Sequence, residues 1–416
     1  MAKYIINGGK PLQGSLAVQG AKNSVLPLFA AALLTDEKVR IHNCPDLADV
    51  TNMGKILRSL GAEVERHGNT IEISGETLIS YEIPCRLARE LRSSIFLLGS
   101  VLGRMKRAKV AYPGGCDIGL RPINLHLKAL SELNVRIVEK YGYIYCDATQ
   151  MRGANLTLDY PSVGATENVM LLAALSEGVT TLSNAAREPE IVDLQNFLNK
   201  MGAKIDGAGT PFIKIEGVPK LSGVEYTTMP DRIVAGTYLI AGAICGGELT
   251  LTGANAEHLR SLISKLIKSG CKITSNDDNI TIISEGRPKA FDNIETQPYP
   301  GFPTDLQAQM TALSAIAEGT TIITENIFET RFKYIPELIK MGAKIKVKDK
   351  HAVVEGIPRL KGAELAAMDL RGGASLVLAG LNARETTIIN DVQHIERGYE
   401  NFEINLTALG ADILKV

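Results

Sequence analysis

The stretch Leu60-Gly61-Ala62-Glu63-Val64-Glu65 reads as a tight turn followed by a short alternating strand. The same phrase recurs as LNVRIV at Leu133, MGAKID at Met201, SGCKIT at Ser269, MGAKIK at Met341 and LGADIL at Leu409. Successive copies lie 68 to 73 residues apart, a period that marks a fold built from repeated units. Helix-like stretches precede the copies, such as DVTNMGKILRSL, EIVDLQNFLNK and YIPELIK. A second strand ending near glycine follows, as in NTIEISG, FIKIEG, NITIISEG and HAVVEG.

Outward from this phrase the rest of the unit repeats too. Small-residue helices recur as AKNSVLPLFAAALL, SVGATENVMLLAALSEG, PDRIVAGTYLIAGAICGG, PTDLQAQMTALSAIAEG and LRGGASLVLAGLNA. A β-rich exit comes next: VRIHNC, AKVAYPGG, TTLSNAA, LTLTGAN, TIITEN, TTIIND. One unit therefore reads strand, helix, strand, helix, strand, strand, an α/β pattern. The sixth copy stops at Val416 without its closing strand, and Lys3-Tyr4-Ile5-Ile6-Asn7-Gly8 matches the missing phrase. The N-terminus is thus expected to pair into the C-terminal half. That predicts two three-repeat domains, 21–229 and 1–20 plus 230–416, joined by two chain crossings. A single solenoid of six repeats is the alternative, and the N-terminal completion favours closed three-unit bodies.

The chain has 416 residues, 45% hydrophobic and 22% charged, with a formal net charge of -1. This composition is globular, and its charge points to neither nucleic acid nor a membrane surface. An anion site must then be a local cluster of Lys and Arg. Six scattered cysteines form no C-x-x-C pair, which speaks against a zinc or redox motif and suits a reducing compartment. The first residues carry no signal-peptide pattern and no window is apolar enough to span a bilayer, so a cytoplasmic location is expected.

Aligning the small-residue helices places polar groups in one slot at each helix start. They are Lys22-Asn23, Arg92, Ser162-Val163-Gly164, Asp231-Arg232, Thr304-Asp305 and Asp369-Leu370-Arg371. Helix starts offer unpaired N–H groups and a positive dipole end, which suit anions. Three-fold pseudo-symmetry would bring three such starts to one face of each domain, and two faces opposed across a cleft would gather Lys22, Arg92, Asp231, Asp305 and Arg371. Ordinary N-capping accounts for Asp231, Thr304 and Asp369. It does not account for Lys22, Arg92 and Arg371, whose charges oppose the dipole.

Pro113-Gly114-Gly115-Cys116-Asp117-Ile118-Gly119-Leu120-Arg121-Pro122 lies between a strand and a helix, punctuated by three glycines and two prolines. It reads as a long exposed loop, where function concentrates. A cysteine near Arg121 and a helix start can be a reactive thiolate or an inert thiol.

This loop resembles the P-G-G-C-x-I-G-x-R-P loop of the UDP-N-acetylglucosamine enolpyruvyl transferases, within the wider enolpyruvyl transferase and EPSP synthase family. Further similar motifs span the chain: GAKNSVLP at 20–27, SVGATEN at 162–168, NAAREPEIVDL at 184–194, PDRI at 230–233, GFPTDLQAQ at 301–309, ETRF at 329–332, DLRGGASLVLAG at 369–380 and HIERGYE at 394–400. The resemblance implies an inside-out α/β barrel of two three-repeat domains around a cleft. It implies transfer of enolpyruvyl from phosphoenolpyruvate to the sugar 3'-hydroxyl of UDP-N-acetylglucosamine, by addition and elimination, as the first committed step of peptidoglycan synthesis. No metal or organic cofactor and no obligate protein partner are implied.

By the same resemblance, Lys22, Arg121 and Arg397 match cations that bind the donor, and Asp305 matches the general base. Cys116 matches a general acid toward the methylene, or a group enabling product release, and the target of fosfomycin. Asn23, Arg121, Pro122, Ile123, Asn124, Leu125, Ser162, Val163, Gly164, Thr304, Asp305 and Ile327 match nucleotide-sugar contacts; Arg92 and Arg371 match cleft positions, and Asp369 and Glu188 are secondary candidates. Asn124, Tyr160 and Tyr334 stand where the family usually has Asp, Lys and His, and Gly372-Gly373 and Asn401 are also atypical. Two other readings stay open: 5-enolpyruvylshikimate-3-phosphate synthase, and a regulatory paralogue that binds nucleotide sugar without turnover.

Overall fold

Each repeat folds into one four-stranded sheet with its helices, and the six sheets share one strand order. The computed structural model describes residues 2–112 and 123–416, apart from the side chains of residues 89, 90 and 92. In the repeat that begins at Asn293–Glu295, this first strand lies parallel to Thr320–Thr324. Thr320–Thr324 runs antiparallel to His351–Glu355, and Lys344–Lys348 closes the sheet. The alternation of His351–Glu355 buries Ala352 and Val354 and exposes the residues between, so one face of the sheet meets the core.

The N-terminal strand Tyr4–Asn7 completes the last sheet. It inserts between Thr386–Asn390 and Asp412–Lys415, antiparallel to both, with Ile6 opposite Thr387 and Ile413. The next strand, Leu12–Ala17, pairs in parallel with Gly247–Thr252, more than two hundred residues on. Glu225–Thr227 likewise pairs back onto Lys38–His42. The described residues divide into two units: those up to Gln19 with Pro230–Val416, and those from Gly20 to Met229. Each unit has its own hydrophobic core.

Three helices pack on one another at the centre of each unit. In the unit from Gly20 to Met229 they are Lys22–Ala32, Leu97–Met105 and Val163–Ala173. In the other they are Arg232–Cys245, Gln307–Ile316 and Leu370–Asn382. These helices are buried almost throughout; every residue of Gln307–Ile316 is buried. A helix without a polar face has to sit inside, which is why the sequence writes these stretches in Ala, Gly, Leu and Ser. Close approach needs small residues: a Cβ on Gly99 would lie 2.5 Å from the Asn168 carbonyl oxygen. Helices inside and sheets outside make an inside-out α/β fold, and the inner helix starts are the slots singled out from the repeats.

Candidate active site

In the unit from Gly20 to Met229, Lys22 is the first residue of its helix, after an N-cap, Ala21, that offers no side-chain cap. A cation at a helix start is unfavourable by itself. The structure answers it with Asp49, in the first turn of the helix Ala48–Ser59, whose Oδ2 lies 3.1 Å from Lys22 Nζ. The pair is buried, the side chains 10% and 7% exposed. Asn23, next on the helix, faces solvent.

Ser162 caps the helix Val163–Ala173, its hydroxyl accepting from the Ala165 N–H. Val163 packs against the core as a half-buried residue. Gly164 lies against His126, whose Cε1 would be 2.7 Å from an added Cβ. His126 belongs to the helix Asn124–Glu132, which Ile123 precedes as its buried N-cap residue; Asn124 is exposed and Leu125 half-buried. Asn168 ties these parts together. Its Nδ2 lies 2.8 Å from His126 Nδ1 and donates to the Ile95 carbonyl, while its Oδ1 accepts from the Gly99 N–H. The segments expected to carry Arg92, residues 123–125 and residues 162–164 therefore share one buried amide. Cys116, Arg121, Pro122 and the Arg92 side chain lie outside the described residues.

In the unit with Pro230–Val416, Asp305 accepts from two guanidinium groups. Arg331 Nη2 lies 2.8 Å from Oδ1, and Arg371 Nη2 lies 3.2 Å from Oδ2. Both arginine side chains are 4% exposed, against 26% for Asp305, so the carboxylate is the open side of the cluster. Burial disfavours the Arg371 charge, but the Tyr399 phenol, Asp305 and Asp231 outweigh it and hold the guanidinium pKa above its ordinary value. Among the described residues, Arg331 Nε and Arg371 Nε and Nη1 are sealed from solvent without a hydrogen-bond acceptor, so the exposed edge of the cluster is the Asp305 carboxylate.

Asp231 and Asp369 are true N-caps. Asp231 Oδ1 accepts from the Ile233 and Val234 N–H groups, and Asp369 Oδ1 from those of Arg371 and Gly372. The expected capping role of Thr304 is not found: Pro303 occupies the N-cap position, and the Thr304 hydroxyl donates to Glu325 Oε2 at 2.9 Å. Glu325 is buried, and its other oxygen accepts from Thr296 Oγ1 and from the N–H groups of Ile327 and Phe328. The carboxylate accepts the hydroxyl proton and turns the Thr304 side chain toward Glu325, away from the helix-start N–H groups. One glutamate thereby holds both Thr304 and the half-buried Ile327. Arg397 is exposed, on the turn between Val392–His394 and Phe402–Ala408, flanked by buried Ile395, Gly398 and Tyr399.

Sequence reasoning missed Asp49, Glu325 and the role of Arg331. Asp49 reads as an ordinary first-turn acid and Glu325 as the end of a strand, so neither carried a signal. Arg331 stood within the ETRF motif without an assigned partner. Among the described residues there is no group of three His, Cys, Asp or Glu side chains placed to hold a metal ion, and no helix long and apolar enough to cross a membrane.

The comparisons with known proteins cover nearly all of the chain or all of it. The profile of the family described as EPSP synthase (3-phosphoshikimate 1-carboxyvinyltransferase) matches residues 6–406. UDP-N-acetylglucosamine 1-carboxyvinyltransferase 2 of Caldanaerobacter subterraneus subsp. tengcongensis is 54% identical over 416 residues, all of both chains. UDP-N-acetylglucosamine 1-carboxyvinyltransferase 1 of Symbiobacterium thermophilum is 50% identical over 420 residues, covering 100% of this chain and 95% of its own. Among solved structures, the enolpyruvyl transferase NikO from Streptomyces tendae superposes with a TM-score of 0.88 at 27% identity, over 100% of this chain and 99% of that one. With family profile, full-length relatives and architecture in agreement, this chain belongs to the enolpyruvyl transferases of the EPSP synthase family.

Proposed function

We propose that this chain transfers the enolpyruvyl group of phosphoenolpyruvate to the 3'-hydroxyl of UDP-N-acetylglucosamine, releasing phosphate, as the cytoplasmic first committed step of peptidoglycan synthesis. The observation that carries the reading is the 54% identity, end to end, with a protein named for that transfer.

The roles are those that the family resemblance implies for these residues. Asp305 takes the proton of the sugar hydroxyl, and its open edge beside two buried arginines gives it a fixed direction. The sugar oxygen bonds to C2 of the donor while C3 gains a proton. C3 then gives up a proton and the C2–O bond to phosphate breaks. Lys22, Arg121 and Arg397 hold the donor's carboxylate and phosphate, and Cys116 serves the proton at C3 or the release of product. Thr304, Ile327, Asn23, residues 121–125, residues 162–164, Arg92 and Arg371 contact the nucleotide sugar.

Phosphate release measured with each acceptor tests the reading. Turnover is expected with UDP-N-acetylglucosamine, reduced about 100-fold or more in Asp305→Asn, which keeps shape and loses the base. Turnover with shikimate 3-phosphate alone overturns the acceptor. Equal, negligible rates in wild type and Asp305→Asn favour a binding paralogue.

A further inference from the structure

The candidate charges in the unit with Pro230–Val416 sit on three separate segments: Asp305 at a helix start, Arg371 at another, and Arg397 on a turn. One buried side chain touches all three segments. Tyr399 is 1% exposed and lies two residues after Arg397. The Arg371 guanidinium stacks over its ring, 5.4 Å from the centroid. Its hydroxyl meets Gln309 Nε2 at 3.1 Å, and the same Nε2 donates to the Asp305 carbonyl oxygen at 3.0 Å. The hydroxyl also meets Thr237 Oγ1 at 3.0 Å, and Thr237 donates onward to the Ile233 carbonyl.

Gln309 Nε2 also donates to Thr237 Oγ1 at 3.1 Å, so the Thr237 hydroxyl, the Tyr399 hydroxyl and the Gln309 amide form one mutually bonded cluster. Phe402 supports the Tyr399 ring from its other neighbours, with centroids 4.6 Å apart. The register of the repeats supports a shared design. Thr237 and Ser375 follow their N-caps Asp231 and Asp369 by six residues, and Gln309 follows Pro303 by the same interval. All three inner helices thus carry a fully buried polar residue at one depth below the candidate charges. Packing alone does not call for this, because apolar side chains of similar volume fill such a site at no loss of stability.

We infer that Tyr399, with Thr237 and Gln309, is the positioning residue that holds Arg371 and the Arg397 turn in register with Asp305 for the proposed transfer. This rests on the functional reading above. Tyr399 touches no reacting atom; it acts through the groups it aligns. Misplacing a reactive group by about 1 Å can cost 100-fold in rate, so loss of one hydroxyl has leverage.

The test uses the full-length protein, phosphate release under varied concentrations of both substrates, and thermal unfolding of each variant. Tyr399→Phe keeps the ring beneath Arg371 and removes the hydroxyl; Thr237→Val removes the partner hydroxyl. Each is expected to lower kcat about ten- to 100-fold per folded molecule. Because Arg371 is proposed to contact the nucleotide sugar, the KM for UDP-N-acetylglucosamine should rise too, by a smaller factor than kcat falls. Thr237→Ser restores the hydroxyl and should recover most of kcat. A kcat unchanged in both Tyr399→Phe and Thr237→Val, losses that merely track unfolded protein, or equal losses in Thr237→Ser and Thr237→Val would overturn the inference. If Tyr399→Phe does not fold, the two Thr237 variants decide. Wild-type protein without turnover on either acceptor removes the functional reading, and this inference with it; an active wild type with indifferent variants removes the inference alone.

Discussion

Removing Asp49 tests what holds Lys22 at its helix start. The two charges are 3.1 Å apart and nearly sequestered from water, the side chains 10% and 7% exposed. At an effective dielectric of about 20, that separation corresponds to about 5 kcal/mol of attraction. Desolvation has offset much of it, so the pair as a whole adds little over an apolar substitute. Deleting one partner is different, because a buried ammonium at the positive end of a helix then loses its Asp49 carboxylate. Asp49→Ala should therefore destabilise its unit by about 3–5 kcal/mol. Combining it with Lys22→Met removes the buried ammonium as well and should recover about 2 kcal/mol or more. Urea unfolding followed by far-UV circular dichroism reads both values. On the proposed function, phosphoenolpyruvate also raises the melting temperature of Asp49→Ala more than that of wild type, since the donor supplies the missing anion. The reasoning fails if Asp49→Ala lies within about 1 kcal/mol of wild type. It also fails if the double variant is no more stable than Asp49→Ala.

Burial, with Glu190 and Glu188 adding to it, pushes the Glu167 pKa well above the ordinary carboxyl value. The folded state then holds a proton that the unfolded chain releases above pH 4.5, so Glu167 costs stability increasingly as pH rises through that window to its folded pKa. Glu167→Gln should match wild type near pH 4.5 and exceed it by up to about 1.4 kcal/mol per further pH unit; urea midpoints from pH 5 to 8 that run parallel refute this. Gly164→Ala drives a Cβ to 2.7 Å from the His126 ring, which Asn168 holds in place, and should cost about 1–3 kcal/mol by thermal unfolding, with an unchanged melting temperature as the contrary result. Burial pushes the thiols of Cys44 and Cys146 up to about 12, so neither is a nucleophile near neutral pH. Fosfomycin should form one adduct, at Cys116, by intact mass and peptide mapping; adducts distributed over Cys85 or Cys271 count against the proposed role of Cys116.

The repeat phrase at Leu60 and its five relatives determined the architecture from sequence alone. Turn glycines, alternating strands and helices apolar on all sides are local patterns, and each forces a local structure whose burial must then be satisfied. The match of Lys3–Gly8 to the second strand of the repeat was legible for the same reason, and that segment pairs with Thr386–Asn390 and Asp412–Lys415. The helix starts were legible as places, because repetition marks the slot even where the residues differ. What filled each slot's environment was decided by tertiary structure. Lys22 with Asp49, Asp305 with Arg331 and Thr304 with Glu325 are pairs 27, 26 and 21 residues apart, and the Thr237–Tyr399 contact spans 162. Periodicity tells whether a side chain points inward but not which partner meets it there. Thr304 shows the consequence: a threonine at a helix start is an N-cap by local rules, and a buried glutamate brought alongside by the sheet takes its hydroxyl instead. Local chemistry chose the elements, while long-range packing chose the partners, because hydrogen bonds and ion pairs are settled only among groups that the folded chain has already placed within reach.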